Sequence, residues 1–175
     1  MQRRALMRTY APLLGYVYVP FGVLALALGS SHPQAASAIF VAAAFALLWF
    51  LGSLHARILR YDPDGFFASI VVLGGASLLA LQAAALASRS PEVAAPSAAC
   101  AATVIIGSSL AALSARKVPR WFGRAGIAGG IAVLLLGVCE AAAEWTFVGS
   151  TFWASSLGFM IWVLIVATYL VKERR

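Results

Sequence analysis

The stretch Ala115-Arg116-Lys117-Val118-Pro119-Arg120-Trp121-Phe122-Gly123-Arg124, then a Gly/Ala/Leu run, then Cys139-Glu140-Ala141-Ala142-Ala143-Glu144-Trp145-Thr146-Phe147, decides the fold. It is basic at its start, apolar in its middle and acidic at its end. About 20 apolar residues in a helix cross the roughly 30 Å of bilayer hydrocarbon, and this run supplies them. It reads as a membrane-spanning helix with its two sides marked by charge.

Working outward, the same pattern recurs. The 175 residues are 62% hydrophobic and 11% charged, where a soluble domain carries about 25% charged residues. Apolar runs fall at 10–29, 36–54, 66–87, 96–115, 121–147 and 152–171. The expectation is an all-α membrane protein: a six-transmembrane-helix bundle forming a single integral membrane domain over 1–175. Pro12 sits in the first turn of run one, and Pro20 predicts a kink there. Ala25-Leu26-Ala27 and Arg3-Arg4 also fit a cleaved signal, but the run is longer than a usual signal core, favouring a retained helix. Asp62-Pro63-Asp64-Gly65 is a turn signal, with Asp64 placed to cap run three.

Twelve of the thirteen basic residues fall on one side of these runs: Arg3, Arg4, Arg8, Arg57, Arg60, Arg116, Lys117, Arg120, Arg124, Lys172, Arg174 and Arg175. Basic residues remain cytoplasmic, so both termini are expected to face the cytoplasm. The abundance of Arg, Ala and Gly suggests a GC-rich bacterial genome, hence the bacterial cytoplasmic (inner) membrane. The net charge of +7 flanks the spans and leaves no basic soluble domain, which argues against nucleic acid. Arg116, Lys117, Arg120 and Arg124 are expected to meet lipid headgroups, so anionic lipids join the bilayer as expected partners.

Glu140 and Glu144 are four apart and share a helix face. Glu140 lies nineteen residues beyond Trp121, about 28 Å along a helix, at the outer boundary. An acid in hydrocarbon is costly and marks a candidate site, whereas at the boundary it is a solvated helix end. Gln82, sixteen residues past Phe66 and so about 24 Å along, matches its depth. Thr103, Ser155 and Ser156 extend this outer polar set. The alternative is plain interhelical hydrogen bonding. Cys100 and Cys139 are read as free thiols, with an inter-span disulfide as the other possibility. His32 and His55 fall on opposite faces, so no metal or cofactor is called. No serine has a histidine partner, so an enzyme is disfavoured. Gly74-Gly75 and the Gly126-to-Gly130 pattern predict close packing of runs three and five, with a homo-oligomer interface as the alternative use. The basic-aromatic openings of runs one, three and five look alike, a pattern that shared interfacial chemistry explains without a repeat.

From Val118-Pro119-Arg120-Trp121-Phe122-Gly123-Arg124-Ala125-Gly126 into the Gly/Ala/Leu run, the chain resembles small six-span bacterial inner-membrane proteins grouped as domains of unknown function. That resemblance implies a layout and no activity. In size and span count the chain also resembles the substrate-binding subunits of energy-coupling-factor vitamin transporters. These dock a partner through small residues on their first helix, where this chain has Ala25 and Ala27 beside bulky Tyr16, Tyr18 and Phe21. The leading expectation is a non-enzymatic protein that binds a small ligand or couples to ions in the outer half of the bundle. The alternative is an accessory or assembly subunit held by a membrane-protein partner.

Overall fold

A computed structural model describes residues 10–29, 31–62, 64–88, 94–115, 118–142 and 148–172. A 3-10 turn at Ala11–Leu13 leads into α1 (Leu14–Leu28); α2 (Pro33–Ile58), α3 (Phe66–Ser88), α4 (Ala94–Ser114), α5 (Arg120–Ala142) and α6 (Val148–Lys172) follow. All regular structure among the described residues is helical, and six helical segments are long and apolar enough to cross a membrane. Pro12 opens the first turn, where its missing N–H costs nothing. Helix α1 continues through Pro20. Helix α2 outlasts its apolar run to Ile58, because backbone hydrogen bonding does not stop at the hydrocarbon edge. The last five residues of the predicted fifth span lie outside the described residues.

The burial pattern is that of a protein whose solvent is hydrocarbon. Val41, Phe45, Leu73, Leu135 and Ile161 are exposed, while Ala98, Ala101, Ala102, Ser97, Ser108 and Ser109 are buried. Lipid tails are as apolar as Leu, so nothing drives large apolar side chains inward, and small residues that let backbones approach take the interfaces. Two buried hydroxyls are satisfied within their own helix. Ser108 donates to the Val104 and Ile105 carbonyls, at 2.8 and 2.9 Å, and Ser109 to that of Ile105, at 2.6 Å.

The chain divides into two compact units, Met1–Leu54 with Met160–Arg175, and His55–Phe159. The first packs α1 against α6 and α2 around Tyr18, Leu47, Phe50 and Val163. A Cβ added at Gly15 would lie 2.9 Å from the Ala167 Cβ and 3.0 Å from the Phe50 ring. The Phe50 and Trp162 rings meet edge to face at 6.5 Å. The Tyr16 hydroxyl donates to Thr168 Oγ1 at 2.8 Å, and that hydroxyl donates to the Leu164 carbonyl at 2.7 Å. Tyr16→Phe is expected to cost about 0.6 kcal/mol, the usual worth of an interhelical hydrogen bond in a membrane; its check is the midpoint of denaturation in mixed detergent micelles.

In the second unit α4 is the middle helix, packed on both α3 and α5. Gly74 of α3 faces Val104 and the Cys100 carbonyl, and Gly107 of α4 faces Ile70 and Val71. On the other side Gly123 faces Leu113, Gly126 faces Ser109, and Gly130 faces Ile105 and Ile106. Gly75 is buried beside Gly74. Runs three and five thus make their close approaches, through Gly74, Gly123, Gly126 and Gly130, against α4. The span between them in sequence is small enough (Ala, Ser, Gly) to be gripped from both sides.

The α2–α3 connection corrects an expectation. Asp64 is exposed. The buried Asp62 carboxylate instead accepts from the Phe67 and Ala68 amides, at 2.7 and 3.3 Å. The Gly65 amide donates to the Asp62 carbonyl at 3.0 Å, and Gly65 adopts φ +70°, a conformation natural to glycine. That turn folds Asp62 back over the start of α3, where a negative charge is favoured. His55 Nδ1 donates to the Ala68 carbonyl at 3.1 Å, tying the end of α2 to the same turn.

Candidate functional site

The glycine contacts fix the register of the second unit. Helices α3 and α4 run antiparallel, Ile70 and Val71 against Gly107 and Gly74 against Val104. Extending that register by two turns of α3 brings Gln82 level with the first turn of α4. Helices α4 and α5 run antiparallel with Gly126 at Ser109 and Gly130 at Ile105 and Ile106. The same extension sets Ser97 level with Val138 and Cys139, and Glu140 level with residues 95–96. One layer at this end therefore holds Gln82, Ser97 and the helical position of Glu140. The opposite end of the unit carries the exposed Arg60, Arg120 and Arg124.

Gln82 sits on the buried face of α3, in line with Ala68, Val71, Gly75 and Leu78, and is 8% exposed. Unlike Ser and Thr, whose short side chains reach their own helix's carbonyls, Gln carries two amide donors and an acceptor that need partners elsewhere. Among the described residues, none hydrogen-bonds to the Gln82 carboxamide. Burying an unpartnered amide costs about 1–3 kcal/mol by protein mutational scales. That cost makes Gln82 the notable group of the layer.

Thr103 is not part of the layer. Its register position lies beside Gly74, about 12 Å from the Gln82 level, and its hydroxyl donates to the Ala99 carbonyl at 2.8 Å on an exposed face. Counting inward from the edge of each apolar run misplaces it, because every such edge is uncertain by a turn, whereas interlocked glycines fix relative height. Ser155 and Ser156 are buried on α6, just ahead of Gly158, which meets Val133 of α5. Glu144, Arg116 and Lys117 lie outside the described residues.

Cys100 and Cys139 are free thiols, the second exposed. The register sets them about one turn apart in height. The His32 ring bonds to the neighbouring Ser31 hydroxyl at 3.0 Å. Among the described residues, no three His, Cys, Asp or Glu side chains gather where one metal ion would need them. Ser108 and Ser109 spend their hydroxyls within α4.

Six helices among the described residues that are long and apolar enough to cross a membrane, with large apolar side chains on exposed faces, fit a multi-pass helical membrane protein. No protein family, curated protein or solved structure matches the chain.

Proposed function

We propose that this is a bacterial inner-membrane protein with both termini in the cytoplasm, and that it binds a small polar ligand or coupling ion, without catalysis, in the outer layer that holds Gln82, Ser97 and Glu140. The observation that carries the reading is the buried Gln82 carboxamide, which has no hydrogen-bond partner among the described residues. A buried carboxamide without a protein partner is a group that a polar ligand or ion would satisfy. The orientation is supported by Arg60, Arg120 and Arg124 at the far end of the same unit.

The test uses a single cysteine at position 82 in a Cys100→Ala, Cys139→Ala background, labelled in intact cells with a membrane-impermeant thiol reagent. Labelling of position 82 from the periplasmic side is expected, and a cysteine at position 140, in the same layer, is expected to label alongside it. A site at 82 closed to the reagent from both sides removes the reading. Gln82→Leu is also expected to raise the denaturation midpoint, by about 1 kcal/mol, while ligand-dependent stabilisation by small polar metabolites or cations disappears. Loss of stability in Gln82→Leu would make Gln82 a structural residue instead.

A second reading, an accessory subunit, is favoured by the outward face of α5. Ala128, Gly129 and Ala132 are exposed there, and a Cβ added at Gly129 would meet nothing within 4 Å. Such a face suits a partner helix, and co-purification of a specific partner lost in Gly129→Ile would establish it.

A further inference from the structure

Helix α4 begins at Ala94 and runs for 21 residues. The opening N–H groups of an α-helix have no partner within the helix, and its aligned peptide dipoles place a partial positive charge there. Pro96, in that first turn, brings no N–H, so the donors are those of Ala94 and Ala95. Because α4 is packed on both α3 and α5, the turn has a helix on either side.

Both neighbours bring a polar position to it. Gln82 follows Val71 by eleven residues, about 20° round the helix, and Val71 lies against Gly107 of α4. Gln82 therefore stands on the face of α3 that meets α4, and the register sets it level with the first turn. It is 8% exposed, and no described residue bonds to its carboxamide. On the other flank, the helical position of Glu140 follows Gly126 by fourteen residues. That is about 40° round α5 from the contact with Ser109 of α4, at the level of residues 95–96.

A ligand seated on the first turn of α4 meets two kinds of surroundings. On the α3 side are the amide donors of Ala94, Ala95 and Gln82, at the positive end of a helix dipole, which suit a carboxylate. On the α5 side Glu140 adds a negative charge at the same level, which attracts a cation and repels an anion. A simple cation meets the positive end of α4, and a simple anion meets Glu140. A molecule that carries both charges satisfies both sides.

We propose that the site takes a small zwitterion of the amino-acid class, its carboxylate on the first turn of α4 and the Gln82 amide, its ammonium toward position 140. This rests on the reading of the Gln82 layer as a ligand site and names the chemistry of what it holds.

The test is the thermal stability of the full-length protein in detergent, measured with each standard amino acid and with the amine and carboxylic acid that match it. At least one amino acid is expected to raise the midpoint in a concentration-dependent way, and its matching amine and acid to leave it unchanged. Gln82→Leu and Glu140→Gln are each expected to weaken that amino acid about tenfold or more, as the loss of a hydrogen bond or ion pair to a charged group dictates. In Glu140→Gln the matching carboxylic acid is expected to gain affinity, because the repulsion is gone; a residue that only supports the fold would not exchange one ligand for another. Stabilisation by the amine alone, by the acid alone, by sodium or potassium ions alone, or by no member of the panel overturns the proposal. Cysteine labelling at position 82 separates the two failures. A position open to the impermeant reagent, with no response to amino acids, overturns the zwitterion and leaves the layer as a site of another class; a closed position removes both readings.

Discussion

Gly126→Ala is expected to destabilise the protein by about 1–3 kcal/mol, the usual cost of overpacking a close interface. Two effects oppose each other. Ala is favoured over Gly in a helix by about 0.8–1.0 kcal/mol, so on an open face this substitution stabilises. At Gly126, however, the new Cβ falls onto the Ser109 Oγ and lies 3.0 Å from the Ser109 Cβ. Ser109 cannot swing away without cost: it is 2% exposed and its hydroxyl is committed to the Ile105 carbonyl. The collision therefore wins. Gly129→Ala, one turn on but facing open space, is the matched control and is expected to be neutral or slightly stabilising. Denaturation midpoints of the two variants in the same detergent separate local helix propensity from interhelical contact. Adding Ser109→Gly to Gly126→Ala restores the room, so the double variant is expected to recover part of the loss, a coupling characteristic of residues in contact. Equal midpoints for Gly126→Ala and Gly129→Ala would show that the α4–α5 contact is not close at Gly126.

Asp62→Ala is expected to cost about 1–2 kcal/mol, the range of a lost helix cap. It also leaves the Phe67 and Ala68 amides without their acceptor in a partly buried turn. Asp62→Asn keeps a side-chain oxygen and loses the favourable charge, so an intermediate cost is expected. Asp64→Ala removes an exposed carboxylate and is expected to fall within about 0.5 kcal/mol of wild type. The three variants, ranked by denaturation midpoint, test which aspartate caps α3. A cost for Asp64→Ala as large as that for Asp62→Ala would reverse the assignment. Amide hydrogen exchange at the first turn of α3 gives an independent check, since a lost cap frays that turn first.

The sequence by itself determined the class of this protein. Six apolar runs, each bounded by charge or by turn residues, left helices as the form open to the chain in lipid, since every backbone N–H and C=O must find its partner within the segment. Arg60, Arg120 and Arg124 could be assigned to one side because charge near a span end has little other use. The position of Gln82 along its helix was also legible, because α3 begins at Phe66 as its apolar run does. The tertiary structure alone decided which faces meet. In a membrane helix, apolar on all sides, the sequence holds no amphipathic stripe to point inward, so the glycines of runs three and five announced close packing without naming the partner. The register of Gly74, Gly107, Gly126 and Gly130 made α4 that partner, and the same register separated Thr103 from the layer that holds Gln82, Ser97 and Glu140. On paper Asp64, two residues before α3, was placed to cap it, and Asp62 does so. The turn that ends at Gly65 chose between them, because a carboxylate caps a helix by its position in space, and position in space is what folding adds to order along the chain.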